Sequence, residues 1–143
     1  MEAKVSEQID IDKLGKKDKR AAFWRRNKYK VSPPGERTAR GRIYASKAEK
    51  QYADALWLLV DKRPDGIDTL IEQPKVRLGE DTEYRPDFLV IPFKEEPYFV
   101  DVKGAETKEF GRIKILWAKY ANRPLRIVKR GRVVETIWRI RAD

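Results

Sequence analysis

Asp87, Asp101 and Lys103 are charged residues in stretches that otherwise read as buried strand, "YRPDFLVIPF" over 84–93 and "YFVDVKG" over 98–104. A charge in a protein interior is costly unless it is paired or bound to a metal. Side chains alternate across a strand, so Phe99, Asp101 and Lys103 share one face and Tyr98, Val100 and Val102 the other. If the two strands form a hairpin with Asp87 opposite Asp101, or opposite Lys103, the carboxylates meet directly or on the diagonal. Two carboxylates that close repel, and one takes a raised pKa unless a cation lies between them. Asp87, Asp101 and the main-chain carbonyl of Val102 offer oxygen ligands to a hard ion such as Mg²⁺. Such an ion polarises a phosphate and acidifies a bound water. Lys103 is then available to orient that water or to stabilise charge on phosphorus. The expected chemistry is phosphodiester hydrolysis. Glu49, on a helix ahead of these strands, either completes the metal shell or only closes a capping box with Ser46. The bland reading of the strands makes Asp87 a hairpin-edge residue and Asp101–Lys103 a surface pair.

Composition narrows the alternatives. Histidine and cysteine are both absent from the 143 residues. That excludes disulfides, thiol nucleophiles, cysteine–zinc sites and an imidazole base. Any catalysis runs on carboxylates, lysine, hydroxyls or an oxygen-held metal. The net charge of +10 favours a polyanionic partner, most often nucleic acid, although a membrane surface or a ribosomal site would accept the same charge. Residues 1–42 carry 13 of the 33 basic residues and 6 of the 23 acidic ones. The expected organisation is a basic, partly flexible arm over 1–40 and one domain over 41–143. In the arm, "RAAFWRRNKYKV" interleaves aromatics with Arg25, Arg26, Lys28 and Lys30. These can hold phosphates while the rings stack on bases, or the rings can pin the arm to the body. No run of eighteen apolar residues and no secretory h-region is present, so a protein of the cytoplasm with no membrane span is expected. The 39% of charged residues leans towards a thermophilic source.

The elements that must position the charges follow from periodicity. "SKAEKQYADALWLLV" predicts a helix with Ala48, Tyr52, Ala55, Leu56 and Leu59 inward and Trp57 outward. "IEQPKVRL" predicts a strand over 71–78, followed by the two charged strands. "TKEFGRIKILWAKYA" predicts a second helix that buries Phe110, Ile113, Trp117 and Tyr120 and turns a basic stripe, Lys108, Arg112 and Lys119, outward. "PLRIVKRGRVVETIWRI" predicts two strands that turn at "RG". The order αβββαββ defines an α/β (α+β) domain with a central mixed sheet flanked by helices.

With these residues in place, "PD" at 86–87, "DVK" at 101–103 and the earlier Glu49 resemble the PD-(D/E)XK nuclease superfamily, with Asp at 101 where Glu is more frequent. From about 27 to 128 the chain looks like a group of small phage proteins of that superfamily. In size, charge and element order it is similar to archaeal-type Holliday-junction resolvases. The resemblance implies a restriction-endonuclease-like domain and a Mg²⁺-dependent homodimer, with Mn²⁺ able to substitute, that cuts four-way DNA junctions. It implies Glu49, Asp87 and Asp101 as acidic metal-site residues and Lys103 as the catalytic lysine. Ser46 is implied as a polar helper, beside Lys47 on the DNA side. Such enzymes carry a polar residue, often Gln, on the helix after the lysine. This helix has none, and Gln73 is either a substitute or unrelated.

Twofold cutting calls for twofold symmetry, and Trp57, Ile137, Trp138 and Ile140 are the candidate interface residues. Two other functions fit the same residues. One is a different nuclease on this fold, for nicking, repair or end processing. The other is a non-catalytic nucleic-acid-binding protein that assists recombination.

Overall fold

The computed structural model describes residues 31–140, so Arg25, Arg26, Lys28 and Lys30 of the expected arm lie outside the described residues. The chain forms two compact units, one ending at Lys47 and the other starting at Ala48. In the first, a 3₁₀ turn at Pro34–Arg37 leads into a short hairpin of β1 (Thr38–Ala39) and β2 (Arg42–Ile43). Arg40 and Gly41 take left-handed conformations at its tip, which gives the twist a tight hairpin needs. The Arg37 guanidinium donates to the carbonyls of Ser32 (2.9 Å) and Tyr44 (2.6 Å) and so closes this unit on itself.

The second unit is a mixed α and β structure with one five-stranded sheet. The strands are β3 (Ile67–Glu72), β6 (Phe88–Pro92), β7 (Tyr98–Val102), β8 (Leu125–Lys129) and β9 (Arg132–Ile137), hydrogen-bonded in that order. Only β7 and β8 run parallel, because the helix α2 (Lys108–Tyr120) carries the chain back between them. The helix α1 (Lys47–Leu59) precedes the sheet. A small hairpin of β4 (Val76–Arg77) and β5 (Glu83–Tyr84) interrupts the connection from β3 to β6. With that hairpin set aside, the order from α1 onwards is αβββαββ, as expected. β3 lies earlier than the strand expected over 71–78, because Pro74 cannot donate to a ladder and divides that stretch.

The two helices cover opposite faces. Tyr52 of α1 meets Phe88 at a ring separation of 6.2 Å, on the face that also carries Val90 and Val100. Trp117 of α2 packs edge-on against Phe99 at 5.1 Å, on the face of Leu125 and Ile127. The Trp117 indole N–H donates to the Arg123 carbonyl (2.8 Å), so its polar edge is satisfied while the ring is fully buried. Leu78 brings the small hairpin into this second core, with Val76 and Tyr84 packed beside it. Thr107 caps α2 by accepting from the Phe110 amide at 3.2 Å, which fixes where the helix starts after the charged strand. At the far corner Arg130 and Gly131 are both left-handed and turn β8 into β9.

Two expected faces need correction. In α1 Leu56 is buried as expected, but its buried companions are Glu49 and Ala53, while Ala48, Ala55 and Leu59 are exposed and Trp57 is half-buried with its indole nitrogen inside. The inward stripe is rotated by one residue, towards an acid that a hydrophobic pattern rejects. In α2 Phe110, Ile113 and Trp117 are buried as expected, but Tyr120 is 40% exposed. Its ring lies over Gly79, where an added Cβ would come within 3.1 Å of it. Among the described residues no helix is long and apolar enough to cross a membrane.

Candidate active site

The pairing of β6 with β7 decides where the acids go. Phe88 pairs with Val100, Leu89 with Phe99 and Val90 with Tyr98. Continued by one residue, this register sets Asp87 opposite Asp101, the first of the two pairings that the sequence left open. The ladder itself stops at Phe88, and side chains take it over. The Asp87 amide donates to Asp101 Oδ1 (3.1 Å), and the Val102 amide donates to Asp87 Oδ2 (2.7 Å). Each aspartate thus binds the backbone of the other's strand.

Pro86 explains why the ladder opens here. In the continued register it would face Val102, whose amide points to this edge. An extended residue turns its carbonyl to the same edge as its N–H. A regular ladder would give that carbonyl an N–H from residue 86, and proline has none. The Gln73 amide holds the Asp87 carbonyl at 2.9 Å and so supports the bend from the β3 side, whereas Gln73 itself is exposed.

Asp101 is almost completely buried. Burial pushes its carboxyl above the ordinary aspartate range, while Lys103 and the hydrogen bond from Tyr84 pull the other way. Asp87 is driven up to about 8, first by burial, then by the negative charges of Asp101 and Glu49. The Val102 amide and Lys103 only partly offset this. Such a pair carries its full charge only when a cation compensates it.

Tyr84 is the site residue that sequence reasoning missed. Its hydroxyl donates to Asp101 Oδ2 at 2.6 Å and accepts from Lys103 Nζ at 3.2 Å. Burial, then the Asp101 charge, raises its pKa well above the usual phenol range, so it stays a donor. Its ring packs against Phe110 at 6.2 Å. Phe110 also lies under the lysine, with Lys103 Nζ 4.1 Å from the ring centre. An aromatic face attracts a cation placed in this way. The first turn of α2 therefore serves both core and site. The loop between them is tied down by Glu106, which pairs with Lys114 and with Lys129 (3.4 Å), while Lys114 also reaches Glu135 at 2.7 Å. "EYRPDF" carried a signal for Tyr84, since it stands three residues before the aspartate in a strand-like stretch. It reads as an ordinary core aromatic until the hairpin β4–β5 is known.

The structure therefore brings Asp87, Asp101 and Lys103 together, and strand geometry turns the Val102 carbonyl to the edge where its amide meets Asp87. Glu49 is buried and close enough for its charge to act on Asp87. It does not close a cage with the aspartates: among the described residues no group of three or more carboxylates has metal-holding geometry. Two carboxylates and a carbonyl still suit Mg²⁺, which keeps several waters and takes few protein ligands. The all-oxygen donor set and the raised pKa values of the pair both fit such an ion.

Of the residues expected to meet DNA, Ser46 is half-buried and Lys47 is exposed, paired with Glu36 at 3.6 Å. Lys108, Arg112 and Lys119 are exposed along α2. Arg112 is already engaged, by Glu109 at 3.2 Å and by Thr82 at 3.1 Å. At the end of the sheet Ile137 packs into the core, whereas Trp138 and Ile140 are exposed. Comparisons with protein-family models, with curated proteins and with solved structures gave no match.

Proposed function

We propose that the protein is a metal-dependent endodeoxyribonuclease with a restriction-endonuclease-like domain, and that it acts on four-way DNA junctions. One observation carries the hydrolytic reading: two carboxylates face each other in a buried setting, with a lysine held beside them by a tyrosine hydroxyl. In this reading Asp87, Asp101 and the Val102 carbonyl hold Mg²⁺ (or Mn²⁺), with Glu49 acting through its charge. When bound, the ion polarises the phosphate and lowers the pKa of a water. Lys103 faces the scissile phosphate and stabilises the charge that builds on its oxygens. Tyr84 is a positioning residue, which holds the lysine ammonium and one Asp101 oxygen in fixed relation. The basic arm and the α2 stripe track phosphates, which makes binding fall with salt.

The choice of a four-way junction and a homodimer rests on the family resemblance and on the need for symmetric cuts. A nicking, repair or end-processing nuclease would use the same residues.

A different reading is a non-catalytic nucleic-acid-binding protein. It is favoured by the way Asp101 and Asp87 already satisfy the Asp87 and Val102 amides, which is also what a purely structural pair would do. The separating experiment incubates the protein with a labelled four-way junction and a matching linear duplex, with Mg²⁺ and with EDTA. Paired Mg²⁺-dependent cuts confined to the junction support the resolvase reading. Cutting of both substrates points to a broader nuclease, and tight binding without cutting transfers the reading to the accessory protein.

A further inference from the structure

A cleft of about 540 Å³ opens at the other end of the sheet, where β7 and β8 begin, and its walls include Tyr98, Asn122, Arg123, Arg126, Trp138 and Arg139. That volume lies within the range of small-molecule sites. The chemistry of the walls is specific. The Arg126 guanidinium lies 3.6 Å from the centre of the Tyr98 ring. Stacking uses the face of a guanidinium, and its N–H donors lie in the plane and remain directed sideways. Trp138 leaves 67% of its surface exposed beside them. Arg139 is held by the Asn122 side chain, and Arg123 is held by Glu96 at 2.6 Å. The arginines are thus braced by the protein rather than waving in solvent. Glu95 and Glu96 on the rim moderate the charge. A bare polyanion is therefore a poorer match than a ligand that combines one anionic group with a flat ring.

We infer that this cleft binds a nucleotide, with the base stacked on Trp138 and the phosphate on Arg126 and Arg139. Base–aromatic stacking tolerates any base, and guanidinium forks match phosphate oxygens. The site is separate from the carboxylates: along β7 about 10 Å of strand lies between Tyr98 and Asp101. The inference shares nucleic acid as a partner with the proposed function but does not depend on cutting. The nucleotide can be an unpaired residue of a DNA strand or a free mononucleotide, and the two sources are distinguishable.

The test follows the indole N–H resonance of Trp138, assigned by its loss in Trp138→Ala, with the full chain kept in EDTA so that no cleavage enters. The probes are a short thymidine oligodeoxynucleotide, thymidine monophosphate and inorganic phosphate. The expected result is a saturable shift of that resonance with a nucleotide probe, and an affinity about tenfold weaker in Arg126→Gln. A shift with both nucleotide probes supports a free-nucleotide site, and a shift with the oligodeoxynucleotide alone supports a strand contact. A Trp138 resonance that stays in place while the oligodeoxynucleotide binds elsewhere overturns the inference. So does an equal response to inorganic phosphate, which would make the cleft a simple anion site. Because nothing is cut in any arm, a failure here leaves the nuclease reading standing, and the reverse also holds.

Discussion

The two ends of β7 solve opposite electrostatic problems. At its C-terminal end Asp101 is shut away from solvent and meets a second carboxylate, so negative charge is concentrated where water cannot dilute it. At its N-terminal end Tyr98 lies under Arg126, and the cations there face an open cleft. The first end is held by hydrogen bonds between side chain and backbone, the second by stacking and by exposed ion pairs. The difference teaches where each end is fragile. Exposed ion pairs are worth little individually, whereas breaking a buried charged network is costly. Substitutions should therefore be felt far more at the acidic end.

The largest effect is expected from Asp101→Asn and Lys103→Met, each of which lowers Mg²⁺-dependent cleavage of a junction or duplex by at least about 10²-fold. DNA binding should survive, and Asp101→Asn should bind as well as the parent or better, because a buried negative charge has gone. Gel-shift and cleavage assays on one substrate check both halves. Loss of binding in step with cleavage would erase the contrast between the two ends.

Next comes the pH dependence of the metal-free protein. Asp87 has a folded pKa of about 8 against an ordinary 3.8. The folded state holds the proton more tightly, so this stabilisation is full below the ordinary value and is lost as pH rises through about 8. The melting temperature should fall across that window, and Asp101→Asn should flatten the fall by removing a repelling charge. Mg²⁺ should raise the melting temperature more at the alkaline end than at the acidic end. Calorimetry with and without EDTA measures all three.

Tyr84→Phe is expected to have an intermediate effect. It keeps the ring against Phe110 and deletes only the hydroxyl between Asp101 and Lys103. Cleavage should fall about 10- to 10²-fold, in the manner of groups that orient ligands rather than act themselves. The fall should appear in kcat more than in KM, and the fold should be retained by circular dichroism.

The smallest effect belongs to the outer face of α2. Arg112→Ala should weaken duplex binding less than Lys108→Ala or Lys119→Ala, since Glu109 and Thr82 already occupy the guanidinium. Salt titrations of the three variants would rank them.

Much of the acidic end was legible in the sequence because it rests on local rules. Alternation put Asp101 and Lys103 on one face, and a hairpin register had only two useful values. The hydrogen-bonded strands realise the value that sets Asp87 opposite Asp101. The register of α1 was not legible. The expected face, Ala48, Tyr52, Ala55, Leu56 and Leu59, shares only Leu56 with the buried set Glu49, Ala53 and Leu56; hydropathy favours the first face, whereas the fold centres the stripe on the second. Tyr84 was hidden for a different reason: its role depends on a hairpin built from residues that read as strand end and turn. The cleft at Tyr98 joins residues from two loops, the segment after β9 and the starts of β7 and β8, and no spacing in the sequence announces it.

Pro86 has a consequence for which substitutions the site can accept. Any other residue there would bring an N–H bond dipole to the edge where Val102 turns its amide and carbonyl, with the positive end aimed at the place the proposed cation would take. The new donor would pair with the carbonyl, zip the two strands together by one more rung and repel the ion, all without altering a single carboxylate. A backbone that declines to finish its own sheet is what leaves an oxygen available for something else.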